Sequence, residues 1–210
     1  MHAADKSDYS LAHHTLNFYN TNAELYAEWT RGIDLAHLYQ PFLTNIPRNG
    51  KILDVGCGAG RDLKRFVEEG FEAVGIDPSE KLAVMASEFS GCKVLVSGVQ
   101  DISFNQEFDG AWACASLIHL PRLQLPSALD KIFLALRPRG VLFMSMQIGS
   151  GDEVLEDGRF VARYTLEELS HAIERAHFEI VNMWTTPDSL PERLSVTWVN
   201  VIARKLSEAN

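Results

Sequence analysis

Short apolar runs alternate with helix-length segments along most of this 210-residue sequence. Helical segments between most of the runs predict parallel strands, joined by right-handed crossovers with helices on both faces of the sheet. The last two runs have no helix between them, so we expect a hairpin whose final strand is antiparallel. The pattern predicts an α/β fold with a seven-stranded, mostly parallel sheet, and a loop at the polar stretch 148–160. The runs that predict strands are 51–55, 71–76, 92–96, 108–115, 140–147, 178–184 and 194–205.

The beginning of the chain lacks strand-like runs and differs in pattern from the rest. Residues 10–30 and 33–46 have the composition and spacing of helices, and the second segment ends before turn-forming residues. We therefore expect residues 1–48 to form a helical N-terminal cap on a core at 49–210. Nothing in the sequence resembles an interdomain linker, so the whole chain, 1–210, is predicted to be a single domain.

Composition limits the class of partner. The chain has 19 Lys and Arg against 28 Asp and Glu, a formal net charge of −9, and no basic cluster that would bind a nucleic-acid backbone. No apolar run reaches the ~20 residues that span a bilayer, and no signal peptide is evident. Cys57, Cys92 and Cys114 lack the spacing of a disulfide framework or a metal site. We expect a cytoplasmic protein that acts on a small molecule, without nucleic acid, membrane or metal. Nothing in the sequence indicates an oligomeric state.

A glycine-rich turn follows the first predicted strand. The sequence there is ILDVGCGAGRD, which places Gly56 and Gly58 between a buried strand and a helix. Glycine lets the backbone turn sharply and approach a ligand closely, and the N–H groups of the helix then face that ligand. Alone, the same turn also fits a tight strand-to-helix connection.

Two acids beside this turn select among nucleoside ligands. Asp77 ends the second strand, where an acid accepts hydrogen bonds from both ribose hydroxyls of a nucleoside, although Asp-Pro is also a common turn. Arg61 occupies the position of the third glycine in the dinucleotide fingerprint. Asp54 precedes the first glycine, where its charge would repel a pyrophosphate and attract a cation. The charges favour S-adenosylmethionine over a nicotinamide dinucleotide.

The combined motifs resemble those of class I S-adenosylmethionine-dependent methyltransferases. They are ILDVGCGAGRD, GIDPSE, FDGAWACASLIHL and LRPRGVLFMS. Finer details resemble bacterial proteins described as tellurite-resistance-like or as methyltransferase-domain proteins. The resemblance implies a Rossmann-like fold and S-adenosylmethionine as the cofactor. It also implies that S-adenosylhomocysteine is a product, together with a methylated small molecule.

The resemblance also implies roles for residues near the first two strands. Gly56 and Gly58 would line the methionine part of the methyl donor, with Asp54 near its amino group. Asp77 would hold the ribose, and Pro78 would pack on the adenine.

Further positions carry over from the later strands. Asp101 and Ile102 lie where the family contacts the adenine edge, although counting back from the fourth strand places the usual acid position at Gly98. Ala115 and Ser116 would offer backbone carbonyls to the amino group of the methionine.

The cap is expected to cover the methyl donor, as in proteins of this kind. Tyr19, Tyr26, Thr30 and Arg31 are the candidates for this contact, with Arg31 facing the carboxylate of the donor. The aromatic residues could equally be core packing of an amphipathic helix.

The acceptor side has weaker candidates. His119, just beyond the fourth strand, is the candidate general base, and its alternative role is a structural histidine bonded to the backbone. Arg122, Arg159 and Tyr164 are candidates for binding the acceptor, together with Trp184.

Two other functions remain open from the sequence. A protein that binds the methyl donor without catalysing transfer would have the same glycine turn and acids. A nicotinamide-dependent oxidoreductase is disfavoured by Arg61 and Asp54.

Overall fold

The computed structural model describes residues 6–190, 193 and 195–206. Its helices are α1 (Lys6–Thr21), α2 (Ala23–Arg31), α3 (Ala36–Leu43), α4 (Arg61–Glu68), α5 (Glu80–Ser90), α6 (Leu125–Ala135) and α7 (Leu166–Arg175). Its strands are β1 (Lys51–Val55), β2 (Glu72–Asp77), β3 (Lys93–Val96), β4 (Phe108–Cys114), β5 (Leu136–Ile148), β6 (Asp152–Val154), β7 (Phe160–Tyr164), β8 (Phe178–Pro187) and β9 (Thr197–Lys205).

The main sheet has the predicted arrangement. Strands β3, β2, β1, β4 and β5 lie side by side in that order, and all of these pairs are parallel. Strand β9 pairs antiparallel with both β5 and β8, so the final strand lies between them. The α/β, mostly parallel sheet with an antiparallel last strand is confirmed.

The number of strands was predicted wrongly, because the described residues form nine strands and not seven. Strands β6 and β7 form a hairpin that includes much of the predicted loop 148–160, and β7 pairs with the end of β5. The three residues of β6 are all exposed and mostly charged, so they lack the apolar signal of a buried strand. A backbone bond from the N–H of Leu155 to the carbonyl of Arg159 closes the turn of this hairpin.

The N-terminal region contains three helices where two were predicted. The first predicted segment is divided between α1 and α2 at Asn22, whose φ of −109° is not helical. The side-chain amide of Asn22 donates to the carbonyl of Phe18 and so covers the end of α1. None of the helices in the described ranges has the length and apolar character that crossing a bilayer requires.

Helices cover both faces of the sheet and bury a core on each. One core contains Leu129 and Ile132 of α6 and Leu169 of α7. The other is aromatic, with Trp112 stacked on Phe143 at a centroid distance of 3.9 Å. Burial of this apolar area, at roughly 25 cal/mol per Å², fixes the strands and therefore the positions of their carboxyl ends.

Candidate functional site

A cavity of about 340 Å³ lies at the carboxyl ends of β1, β2, β3 and β4. Helix α1 contributes Ala12, Thr15, Leu16 and Tyr19 to its wall, and α2 contributes Tyr26. This position, outside the carboxyl ends of parallel strands, is where open α/β sheets bind ligands. Within the described residues, no group of three or more potential ligands could hold a metal ion.

The glycine turn lines this cavity and depends on glycine for steric reasons. Gly56 has a φ of +73°, and a Cβ there would lie 2.4 Å from the Cβ of Ser116. Gly58 has a φ of +53°, and its Cβ would lie 3.1 Å from the ring of Tyr26. The N–H groups of Gly56 and Cys57 both donate to the carbonyl of Ile76. Side chains at these positions would therefore fill space or displace a wall of the cavity.

Asp77 connects the glycine turn to the start of α5. One carboxylate oxygen accepts from the N–H of Gly58 at 2.9 Å, and the other accepts from the N–H of Ser79 at 2.8 Å. Burial raises the pKa of Asp77 to about 6, although both N–H groups oppose the rise. A carboxylate has about four acceptor positions, so Asp77 can still accept from a ligand in the cavity that it lines.

Asp54 lies in β1 and is not part of the cavity surface. Its Oδ2 is buried and has no hydrogen-bond partner in the described part of the chain. Burial raises the pKa of Asp54 well above its ordinary value, and the negative charges of Asp62 and Asp77 add to the rise, which Arg61 opposes. A buried carboxylate oxygen without a partner is unfavourable unless a cationic or hydrogen-bonding group approaches it.

A second buried acid, Asp62, was not singled out from the sequence. Its Oδ1 accepts from the hydroxyl of Tyr39 at 2.5 Å and from Arg61 at 2.6 Å. Its Oδ2 accepts from the indole N–H of Trp112 at 2.8 Å and from Arg61 at 3.0 Å. Burial alone would raise the pKa of Asp62, but Arg61 and these donors hold it below its ordinary value. The sequence signal was an acid on the same helix face as the buried residues Leu63 and Phe66.

The segment after β3 differs from the prediction. Asp101 and Ile102 are not among the lining residues, because Asp101 is exposed and Ile102 belongs to the core. The wall is formed by residues 97–100, which include Gly98. The side-chain amide of Gln100 donates to Gln124 at 3.0 Å. The adenine contacts predicted for Asp101 and Ile102 are therefore not supported by where these residues lie.

Ala115 and Ser116, at the end of β4, line the cavity. Ala115 has a φ of +53°, and its N–H donates to the hydroxyl of Ser145 at 2.8 Å. The hydroxyl of Ser116 is buried without a partner in the described residues. It can therefore bond to a ligand beside the glycine turn.

His119 and Tyr19 meet at the cavity wall. The hydroxyl of Tyr19 lies 2.7 Å from Nε2 of His119, and Nδ1 of His119 lies 2.7 Å from the carbonyl oxygen of Phe160. Burial lowers the pKa of His119 to about 4, so the ring is neutral near pH 7. The ring of Tyr19 also packs edge-on against Tyr26, at a centroid distance of 5.1 Å.

Two of the predicted cap residues lie outside the cavity. Thr30 bonds back to the carbonyl of Tyr26 within α2. Arg31 donates to the carbonyls of Ala59 and Met85, and its guanidinium lies 4.0 Å from the ring centroid of Phe89. Neither side chain is placed to face a ligand, because local partners hold both.

The predicted acceptor-binding residues other than His119 also lie outside the lining. Arg122 pairs with Asp152 and Glu168 and lies over the ring of Tyr164. Arg159 pairs with Asp157 and approaches Tyr19 from outside the cavity. The remaining candidate, Trp184, packs against the aromatic core beside Phe143. These contacts are structural within the described chain.

Pro78, the candidate for the adenine contact, lines the cavity directly after Asp77. The structure thus brings together Tyr19, Tyr26, Gly56, Gly58, Asp77, Pro78, Ala115, Ser116 and His119 around one space.

The sequence matches one protein family and several known proteins. A family model described as "Methyltransferase domain" matches residues 26–183. A Bacillus subtilis protein named as a methyltransferase, YqeM, is 30% identical over 128 residues, covering 58% of this chain and 48% of that protein. A tRNA U34 carboxymethyltransferase of Shewanella woodyi is 30% identical over 142 residues, covering 64% of this chain and 41% of that protein. This chain therefore spans about half the length, or less, of these curated relatives.

One solved structure resembles almost the whole chain. It is the 1,6-didemethyltoxoflavin-N1-methyltransferase of Burkholderia thailandensis, with 1,6-didemethyltoxoflavin and S-adenosylhomocysteine bound. The TM-score is 0.80 at 21% identity, covering 99% of this chain and 92% of that one. At this identity the likeness shows a shared fold.

Proposed function

Because this chain belongs to the methyltransferase-domain family, we propose that it transfers a methyl group from S-adenosylmethionine to a small-molecule acceptor, with S-adenosylhomocysteine as the other product. The observation that carries the proposal is the buried carboxylate of Asp77, bonded to the glycine turn and still able to accept hydrogen bonds from a ligand. The solved structure with S-adenosylhomocysteine supports the same donor.

The cavity residues fit this donor in chemical type. Asp77 would accept from the ribose hydroxyls, and Pro78 would contact the adenine. Gly56 and Gly58 would leave room for the methionine part, since a Cβ at either position meets a wall. The unpartnered Oδ2 of Asp54 would attract the donor's cationic end through the turn.

The donor supplies an activated methyl carbon, so the protein's task is mainly to hold two molecules in line. Helix α1 covers the cavity and is held by three side-chain bonds to the core, which limits access of water. Oriented proximity of this kind is worth roughly 7–11 kcal/mol of the barrier. His119 would be the general base for the proton of the acceptor, if the acceptor carries one.

The acceptor is proposed to be a small molecule. The cavity lining within the described residues includes no Lys or Arg, and the chain carries a formal net charge of −9. An RNA acceptor, which the match to a tRNA carboxymethyltransferase raises, would need a basic surface for the phosphate backbone.

Location in the cytoplasm is part of the proposal and is supported by three free cysteines. A single domain over 1–210, with a cap at 1–48, is proposed as well, supported by α1 as a wall of the cavity.

Calorimetric titration tests the proposal, followed by an assay for released S-adenosylhomocysteine. We expect binding of S-adenosylmethionine and S-adenosylhomocysteine, no binding of NADH, and turnover with small acceptors but not with tRNA. Binding of NADH alone would instead support the oxidoreductase. Donor binding without turnover across a broad acceptor panel would support a binding protein without catalysis.

A further inference from the structure

The two ring nitrogens of His119 are both engaged, and their partners fix the tautomer. The carbonyl oxygen of Phe160 can only accept, so Nδ1 of His119 must carry the hydrogen. In a neutral ring Nε2 is then an acceptor, and the hydroxyl of Tyr19 must donate to it. His119 therefore has no free nitrogen with which to take a proton from a ligand.

The backbone of Phe160, whose carbonyl fixes this tautomer, is itself held in place. Its N–H donates to the hydroxyl of Thr15 on α1 at 2.9 Å, while its carbonyl receives the bond from His119. Tyr19 lies one helical turn after Thr15 on the same helix. The arrangement thus holds both Tyr19 and His119 at the cavity wall from two sides.

Tyr19 is the residue of this hydrogen-bonded series that still has acceptor capacity. Its oxygen gives its hydrogen to His119 and has two lone pairs. The guanidinium of Arg159 lies 6.0 Å from the ring centroid of Tyr19 and engages one of these lone pairs in a hydrogen bond, so one lone pair is left for a hydrogen from elsewhere. Burial raises the pKa of Tyr19, and the charge of Arg159 and its hydrogen bond oppose that rise.

We propose that Tyr19 is the residue that takes the proton from the acceptor, with His119 as the positioning residue behind it, and that the acceptor is a neutral molecule whose nucleophilic nitrogen or oxygen carries a hydrogen. This inference rests on the proposed methyl transfer. It replaces the direct role of His119 as general base with a role through Tyr19.

The step balances without any additional reagent. The nucleophile's lone pair forms the bond to the methyl carbon, and the sulfur–methyl bond breaks with its electrons left on sulfur. The nucleophile then loses its hydrogen to the oxygen of Tyr19, while the hydrogen of Tyr19 passes to Nε2 of His119. The positive charge that began on sulfur ends on the imidazolium, so the buried site holds the same net charge before and after the step.

The charge of the cavity supports a neutral acceptor. No Lys or Arg belongs to its lining in the described chain, and Arg159 is already paired with Asp157. An anionic acceptor would therefore meet no protein cation in the lining, only the sulfonium of the donor, and would lie in the same cavity as Asp77. A thiol would need no proton acceptor at Tyr19, because its thiolate forms readily in water.

Nitrogen NMR of the histidines tests the tautomer without any knowledge of the acceptor. In protein saturated with S-adenosylhomocysteine, we expect the His119 signals, identified by their loss in H119Q, to show a protonated Nδ1 and a hydrogen-bonded, unprotonated Nε2. The Nε2 signal should shift in Y19F, which lacks the donating hydroxyl. A protonated Nε2, or no shift in Y19F, would overturn the inference.

Turnover tests the role of Tyr19. Wild-type protein, Y19F and H119Q are assayed for S-adenosylhomocysteine with catechol and aniline as neutral acceptors, and with benzoate and ethanethiol as the anionic and thiol comparison. We expect turnover only with the neutral class, and in Y19F a kcat lower by about 100-fold or more with KM within about threefold. In H119Q the Gln oxygen can accept from Tyr19 but cannot take its proton, so kcat should also fall while KM stays. Tyr39→Phe removes another buried hydroxyl, one that does not line this cavity, and should keep the wild-type kcat.

The outcomes separate the inference from the proposed function. Turnover of a neutral acceptor that Y19F does not reduce, or turnover of benzoate or the thiol, overturns the inference and leaves methyl transfer standing. Binding of S-adenosylhomocysteine with no turnover of any acceptor contradicts the proposed transfer and removes the inference with it.

Discussion

Asp62 and Asp77 are both buried acids near the glycine turn, with exposed fractions of 6% and 7%, yet their surroundings differ. Asp62 accepts four hydrogen bonds, two of them from Arg61, and its pKa is lowered. Asp77 accepts two from backbone N–H groups, and burial raises its pKa to about 6. Equal burial thus accompanies opposite shifts in pKa.

The difference separates an acid that holds the fold together from one that is available to a ligand. Every acceptor position of Asp62 is used by α3, α4 and β4, so nothing is left for a ligand. Asp77 and the unpartnered Asp54 have acceptor capacity at or beside the cavity. The number of donors around a buried carboxylate is therefore more informative about its function than its burial.

The largest expected effect is loss of stability in D62A. Removal of the carboxylate leaves Arg61, the indole of Trp112 and the hydroxyl of Tyr39 buried without their partner, which costs about 3–5 kcal/mol in the free energy of unfolding. Urea unfolding followed by tryptophan fluorescence measures it. The matched control is E69A, which removes the partner of Arg65 from an exposed ion pair and should cost less than about 1 kcal/mol. Equal unfolding curves for the two variants would contradict a structural role for Asp62.

D77N is expected to weaken binding and to lower stability by less than D62A does. The amide keeps the shape but loses the charge, so the affinity for S-adenosylhomocysteine should fall by roughly 2–3 kcal/mol, or about 30- to 150-fold. The amide nitrogen cannot accept from the N–H of Gly58 or Ser79, so the free energy of unfolding should fall by about 1–3 kcal/mol. Calorimetry and urea unfolding provide the two numbers. A folded D77N protein with unchanged affinity would show that Asp77 does not hold the ligand.

The pH dependence of binding follows from the pKa of about 6 for Asp77. The ionised carboxylate binds the hydroxyls, so affinity for S-adenosylhomocysteine should rise as pH increases from 5 to 7, by about tenfold. The sign is opposite for the stability of the free protein, because folded Asp77 keeps its proton to a higher pH than an unfolded Asp does. Its contribution to stability therefore declines as pH rises from about 4 to 6. D77N has no carboxyl group to ionise at this position, so its affinity should not change in this pH range. An affinity of the wild type that is equally independent of pH would contradict ionisation of Asp77 as the cause.

D54N should give the smallest change, and in the opposite direction from D62A. The amide is neutral in both the folded and the unfolded protein, whereas burial and the charges of Asp62 and Asp77 disfavour the ionised form of Asp54 on folding, so the free energy of unfolding should rise by about 0.5–1 kcal/mol. The affinity for S-adenosylhomocysteine should fall, but by less than in D77N. Thermal unfolding and calorimetry check the two effects. Destabilisation on the scale of D62A would place Asp54 among the structural acids.

The parallel strands and the glycine turn could be predicted because their patterns are local. Buried strands such as β1 are short, nearly continuous apolar runs, and the turn is marked by three nearby glycines. The hairpin of β6 and β7 was missed because β6 is exposed and charged. Strand β6 forms through backbone pairing with β7, and such pairing does not produce a hydrophobic pattern in the sequence.

The sequence predicts residues of the candidate site where the α/β pattern itself brings the ends of adjacent strands together. Gly58 and Asp77 are joined across two adjacent strands, which the α/β pattern implies. The bond between Tyr19 and His119 joins residues 100 positions apart and depends on how α1 packs over the core. Periodicity places both residues on their elements but says nothing about that docking. The same holds for Asp62, whose partners Tyr39 and Trp112 come from α3 and β4.

A diffraction structure of the protein crystallised with S-adenosylhomocysteine decides whether this cavity binds the methyl donor. We predict density for the nucleoside under α1, with both ribose hydroxyls within hydrogen-bond distance of the Asp77 carboxylate and the sulfur on the side of Tyr19. Density at another surface, or a cavity in which side chains occupy the space beside Gly56 and Gly58, would contradict the assignment.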